Sequence, residues 1–458
     1  MRISPRRMED LNAGELQSIL ERSAVDISAV YEHVRKIVED VKARGDESLL
    51  DAAKEFKSDV SVSDLQVSSQ EVKAAYGQVD SAVVEALRLA ARNILRFHEA
   101  QLENEKWVIE VAPGITAGRI RRPMDRVGCY VPGGRAAYPS TVLMTVLPAR
   151  AAGVEEVVIT TPPGKDMAVN PVTLVAADIA GCSRVFKAGG PWGIAGLAFG
   201  TNTLPRVDKI VGPGNKYVTA AKMIVFGQVD IDSPAGPSED LILADEKADA
   251  SLIAVDFLSQ IEHDPDSAAV LVTTSQTLAE QVCAAIDVEF DSLARKEIFE
   301  SSLKKHSHVL VAENLEKAID FANQYAPEHL QIMTDDPYAV LDRIKHAGSI
   351  FLGPYAPVPV GDYASGTNHV LPTGRCARMF SGLSVDDFIK KPTFQHLTRE
   401  GLAGLKDVVV TLAEAEGLPN HARAVKARFE DKPSTTPSLF QVLFPPPGGG
   451  PKGEGQSS

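Results

Sequence analysis

Apolar residues recur along this chain in two rhythms. Val34, Ile37, Val38 and Val41 repeat at i, i+3, i+4 and i+7, and Val83, Leu87, Ala90 and Ile94 form a second stripe of the same period. Such stripes predict amphipathic packing helices. Ahead of them residues 1–25 are polar, and Asn12-Ala-Gly-Glu15 reads as an N-cap before Leu16, Ile19 and Leu20. From about residue 127 short β-branched runs alternate with helical stretches. Residues 127–131, 157–160, 184–187 and 207–211 are predicted strands, and 140–152, 171–180 and 192–199 predicted helices. A second strand series follows at 241–244, 269–273, 309–312 and 349–352. Strand, helix, strand at this spacing predicts parallel sheets with covering helices. The expected fold is therefore α/β, with two Rossmann-like parallel-sheet domains and helical N- and C-terminal extensions. Its parts are a helical extension (1–25), one α/β domain made of 26–126 and 240–382, another over 127–239, and a helical C-terminal domain (383–431). Residues 432–458, with Pro-Pro-Pro-Gly-Gly-Gly, cannot bury a core and are expected to be a disordered tail.

Composition narrows the function classes. The 458 residues are 44% apolar and 24% charged, enough for a core without disulfides. Acidic residues outnumber basic ones 61 to 47, a net charge of −14, which argues against nucleic acid or an anionic membrane as partner. No apolar run approaches the roughly 20 residues of a membrane span. The arginines of residues 1–7 precede no apolar stretch, so no secretory signal is expected. Cys129, Cys182, Cys283 and Cys376 are scattered, which suits a reduced, cytoplasmic setting. Cys129 reads as a packing residue rather than a nucleophile.

Five segments carry candidate chemistry. Tyr130-Val-Pro-Gly-Gly134 and Val211-Gly-Pro-Gly-Asn215 follow predicted strands, although neither matches G-x-G-x-x-G. Carboxyl ends of parallel strands are where open α/β sheets bind ligands, so each is a backbone cradle for an anion or ribose, or a plain tight turn. Gln260 and His263 lie three apart on one helical face, an arrangement that offers two metal ligands or arises by chance. Glu328 and His329 sit after a helix, with Pro327 before them, as two proton acceptors or as a helix-end charge pair. The stretch from Gly361 to Thr373 is dense in glycine and polar groups, with Asp362 a candidate ligand and His369 open as site or loop residue. Glu416 and His421 lie beyond both sheets and attract no notice alone.

Taken in order, with Ala235-Gly-Pro-Ser-Glu239, these segments resemble the histidinol dehydrogenase family over roughly residues 1–430. The resemblance implies a zinc enzyme, one ion per subunit, that uses NAD to oxidise L-histidinol to L-histidine through the aldehyde in two hydride transfers. It places the zinc ligands on Gln260, His263, Asp362 and His421, and the proton acceptors on Glu328 and His329. Substrate contacts fall on Ser238, His329, Glu416 and the four metal ligands, and NAD contacts on Tyr130 and Asn215. It further implies a homodimer in which the C-terminal segment crosses over, so that Glu416 and His421 complete the partner's site. Two positions depart from the family pattern. Trp192 stands where a glutamine often contacts NAD, and an indole can stack on a cofactor ring. Val358 stands where some members carry a glutamate for the substrate amine, whose loss could cost about 1–3 kcal/mol. Alternatives are a related dehydrogenase of another small polar alcohol, such as a sulfonated diol, or a zinc hydrolase in which Glu328 activates water.

Overall fold

The computed structural model describes residues 2–22, 27–133, 137–233 and 236–430, so Gly134, Ala235 and the expected tail lie outside the described residues. The chain forms two compact units, one from Met1–Asn104 with Arg121–Lys390, the other from Glu105–Ile120 with the residues after Lys390.

The first unit holds two wholly parallel sheets, as an α/β fold requires. One has six strands in the order Pro5–Arg7, His308–Val311, Ala268–Thr273, Glu239–Ala244, His329–Met333, Ser349–Leu352. The other has five, Arg184–Phe186, Glu156–Thr160, Arg126–Tyr130, Lys209–Val211, Asp230–Ile231. Strands Glu239–Ala244 and Ala268–Thr273 are buried at every position. Helices cover both their faces, which is why residues 241–244 and 269–273 read as strands of near-continuous apolar character. Ile242 and Ala244 pack under helix Ala250–Ile261, whereas Leu241 and Leu243 pack against helix Leu315–Tyr325.

Several expectations change here. The N-terminal stretch is not purely helical: Pro5–Arg7 forms an edge strand, and Asn12 then caps helix Ala13–Glu21 with a reciprocal bond from Glu15. Helix Ser28–Arg44 buries Val34, Ile37, Val38 and Val41, but helix Ser81–Glu99 turns Val84 inward and leaves Val83 39% exposed. Both helices pack on the five-stranded layer's core, with Ile194 and Val218 or with Val142 and Leu143. Residues 26–126 were expected with the other layer, because a stripe identifies a buried face but not what covers it.

The second unit carries an antiparallel sheet of Lys106–Ala112, Ile115–Ile120 and Thr393–Leu397, followed by helices Arg399–Ala415 and Pro419–Lys426. The C-terminal region is therefore not wholly helical. Lys106–Ala112 is exposed along almost its whole length, so no buried–exposed alternation marked it as a strand. Among the described residues no helix is long and apolar enough to cross a membrane.

Candidate active site

In the six-stranded sheet the polar cluster forms where strands begin. Glu239 and His329 open adjacent parallel strands, and Asp240 is the register partner of His329. The intervening helix Ala250–Ile261 returns antiparallel to these strands, so Gln260 near its end, and His263 just beyond it, come back to the same edge. A helix carboxyl end concentrates partial negative charge, which favours a bound cation.

Glu328 is buried, and its Oε2 accepts hydrogen bonds from Ser238 Oγ (2.7 Å) and the Glu239 N–H (2.8 Å). Ser238 Oγ in turn accepts from Gln260 Nε2 (2.8 Å), which ties the expected base to an expected ligand. Burial pushes the Glu328 carboxyl up to about 7, against the pull of His329 and these hydrogen bonds. His329 is also buried, and its Nδ1 lies 3.0 Å from the Glu239 carbonyl oxygen. A carbonyl only accepts, so Nδ1 carries the proton of the neutral ring and Nε2 presents its lone pair. That Nε2 is buried, has no hydrogen-bond partner, and lies 3.8 Å from Asp362 Oδ1. Burial would lower the His329 pKa, but Glu328, Asp362 and Asp240 outweigh it and raise it.

Asp362 sits in a short helix, Val358–Tyr363, rather than in the open loop its glycines suggested. Gly361 permits this, since a Cβ there would crowd the Phe351 ring, which also flanks His329 at 6.0 Å. His369 joins the cluster, with Nδ1 2.9 Å from the Asp362 carbonyl and Nε2 3.3 Å from Thr141 Oγ1 on helix Pro139–Ala152 of the other layer. Desolvation holds the pKa values of His263 and His369 down, while the Asp362 charge pulls both up.

Among the described residues no three His, Cys, Asp or Glu side chains form a metal-binding group. The expected set is not such a group: one ligand is a glutamine, and His421 belongs to the second unit. There Glu416 ends helix Arg399–Ala415 and His421 lies on helix Pro419–Lys426, both exposed. The donors that the first unit does bring to one edge, amide, imidazole and carboxylate, suit a divalent zinc.

At the five-stranded sheet Tyr130, Trp192 and Asn215 lie at or beyond carboxyl ends of strands. The buried Tyr130 hydroxyl accepts from the Gly190 N–H (3.1 Å), Trp192 is half-buried at the start of helix Gly190–Phe199, and Asn215 is exposed and caps helix Lys216–Val225.

Sequence reasoning missed three buried groups. Glu239 forms an ion pair with Arg22, both side chains 2% exposed, and accepts from the backbone of Glu328 and Gly374 (3.2 Å each). Asp240, pushed up to about 7 by burial, accepts from Gln331 Nε2 at 2.8 Å. Carboxylates immediately before the strand predicted over 241–244 were the available signal for Glu239 and Asp240, which the structure shows to be its first two residues; Arg22 offered none. Burial also raises the Cys129 thiol, in keeping with a packing role.

Comparisons with known proteins identify the family and the fold. The family model described as histidinol dehydrogenase matches residues 20–429. A histidinol dehydrogenase of Methanococcus maripaludis is 52% identical over 425 residues, covering 93% of this chain and 99% of that protein. One from Clostridium acetobutylicum is 46% identical over 90% of this chain and 96% of its own. The crystal structure of histidinol dehydrogenase from Elizabethkingia anophelis superposes with a TM-score of 0.89 at 39% identity, covering 93% of this chain and 98% of that one. With one family model matching residues 20–429 and one fold covering 93% of the chain, the chain belongs to the histidinol dehydrogenase family.

Proposed function

We propose that the protein oxidises L-histidinol to L-histidine with NAD, in a site that holds one zinc ion through Gln260, His263, Asp362 and His421. The observation that carries this reading is the buried, unpartnered Nε2 of His329, fixed as an acceptor by the Glu239 carbonyl and facing Asp362.

The reaction requires two bases in turn. One alcohol, two NAD+ and one water give one carboxylic acid, two NADH and two protons. In the first stage the alcohol proton passes to His329 Nε2 as hydride leaves for the cofactor. In the second, Glu328 takes a proton from water as it adds to the aldehyde, and the resulting hydrate gives up the second hydride. A carboxyl held near 7 is matched to that task at neutral pH. When bound, zinc supplies a fixed positive charge that anchors the substrate's nitrogen donors. Ser238 orients Glu328 and Gln260 together, which keeps base and ligand in register. The cofactor is placed by Tyr130 and Asn215, with Trp192 stacking on one of its rings. A second copy of the chain supplies Glu416 and His421, making the active assembly a homodimer.

Protein mixed with NAD and L-histidinol should release two NADH per substrate, read by absorbance. Turnover of a different alcohol instead, the possibility that Val358 favours, would keep the family and remove this substrate. The hydrolase alternative has no support left, since the chain belongs to a family of dehydrogenases. His263→Asn should abolish bound zinc and activity while the protein stays folded; retained zinc by metal analysis would eliminate that ligand. Co-expressed with a His421→Asn chain, it should regain activity, because a mixed dimer has one intact site; no recovery would refute the crossed arrangement.

A further inference from the structure

The five-stranded sheet reverses its winding between two neighbours. From Arg126–Tyr130 the chain proceeds outward through Glu156–Thr160 and Arg184–Phe186, and from Lys209–Val211 outward the other way to Asp230–Ile231. Such a switch point opens a crevice at the carboxyl ends of the two central strands. Gly212, buried just after the strand Lys209–Val211, has φ +120°, and a Cβ there would overlap the Tyr130 carbonyl oxygen. No other residue type fits this approach.

Both backbone groups of Gly212 are held by one buried ion pair. The Gly212 N–H donates to Asp232 Oδ2 (2.6 Å), and its carbonyl accepts from Lys222 Nζ (3.0 Å). Lys222 and Asp232 are in direct contact, their side chains 4% and 5% exposed. Lys222 belongs to helix Lys216–Val225, whose first turn is capped by the Asn215 side chain accepting from the Tyr217 and Val218 N–H groups (3.0 and 3.3 Å). Asp232 follows the strand Asp230–Ile231, with its own N–H on the Ile210 carbonyl (3.3 Å). The pair therefore ties one glycine to the helix behind Asn215 and to the strand beside it. Burying two charges brings little net stability, because desolvation offsets their attraction. What the pair does fix is the shape of the loop.

We infer that Lys222 and Asp232 are positioning residues for the dinucleotide, locking residues 211–215 in the conformation that presents Asn215 and the Tyr130 strand end to NAD. The inference rests on the NAD reading proposed above. Among the described residues no hydrogen bond or ion pair joins either side chain to the polar cluster of the six-stranded sheet, so their effect falls on the cofactor and not on histidinol or zinc.

The test is steady-state kinetics on the double variant Lys222→Met/Asp232→Asn, which removes both charges and strands neither. KM for NAD should rise about tenfold or more, while KM for histidinol, kcat at saturating NAD and zinc content change less than about twofold. Asp232→Asn alone, which keeps an acceptor for Gly212, should show a smaller rise of the same kind and serves if the double variant does not fold. An unchanged KM for NAD, or equal rises for both substrates, would overturn the inference. Wild-type protein that neither binds nor reduces NAD would remove the cofactor reading itself and this inference with it. Wild-type protein that uses NAD normally, with unaffected variants, would remove the inference alone.

Discussion

Glu328→Gln should lower turnover to the acid by about 10²–10⁴-fold and let aldehyde persist, since a general base contributes on that order. The NADH released per histidinol should fall from two toward one, measured in a single-turnover mixture with carbonyl trapping. Unimpaired conversion to the acid would refute the role. The same variant carries a stability signature of opposite sign. The Glu328 carboxyl is raised from an ordinary 4.5 to about 7, so between those values the folded protein binds more protons than the unfolded chain. Its contribution is therefore present below about 4.5 and is lost as pH rises to about 7. Glutamine has no charge to desolvate, and the variant should unfold at higher urea than wild type at pH 8 but not at pH 5. A site residue that weakens the fold at the pH where it works is what catalysis predicts and what a structural ion pair does not.

Arg22→Met should have the largest effect on stability. It leaves the Glu239 carboxylate buried without its cation, and breaking a buried pair from one side costs about 3–5 kcal/mol. The guanidinium also donates to the Tyr325 carbonyl (2.9 Å) and the Leu20 carbonyl (3.0 Å) and lies 3.6 Å above the Tyr325 ring, so packing is lost with the charge. Because Glu239 braces the backbone of Glu328, activity should fall as well. Arg22→Met/Glu239→Gln should recover a large part of the lost stability, as no charge then remains unpaired. If the single variant unfolds at the wild-type urea midpoint, the pair carries none of this load.

What could be read from the sequence follows from where each residue gets its environment. Gln260, His263, Glu328 and Asp362 sit beside element ends that leave local traces, namely a helical spacing, a proline and clustered glycines. The core strands showed as apolar runs because helices cover both faces. Arg22 left no trace: it follows a polar helix, and its partner lies 217 residues away. Asp240 looked like the border of a strand, yet the register against His329 makes it a buried neighbour of the base. Strand His329–Met333 hid behind the chemistry of its first residue. The hairpin of the second unit hid for the opposite reason, with Trp107, Val108, Ile109 and Val111 all exposed. Val83 and Val84 were equally apolar, and only packing chose between them.

The same long reach governs how the molecule comes into being. Among the described residues Pro5–Arg7 pairs only with His308–Val311, and the hairpin of Lys106–Ala112 and Ile115–Ile120 finds its third strand only in Thr393–Leu397. On the ribosome each early segment must wait through most of synthesis, its edge open, before its partner emerges. Pairings this distant in sequence form slowly and leave unpaired edges prone to association in the meantime. A nascent chain halted near residue 390 would thus hold both parallel sheets while still lacking the strand that closes the smaller unit.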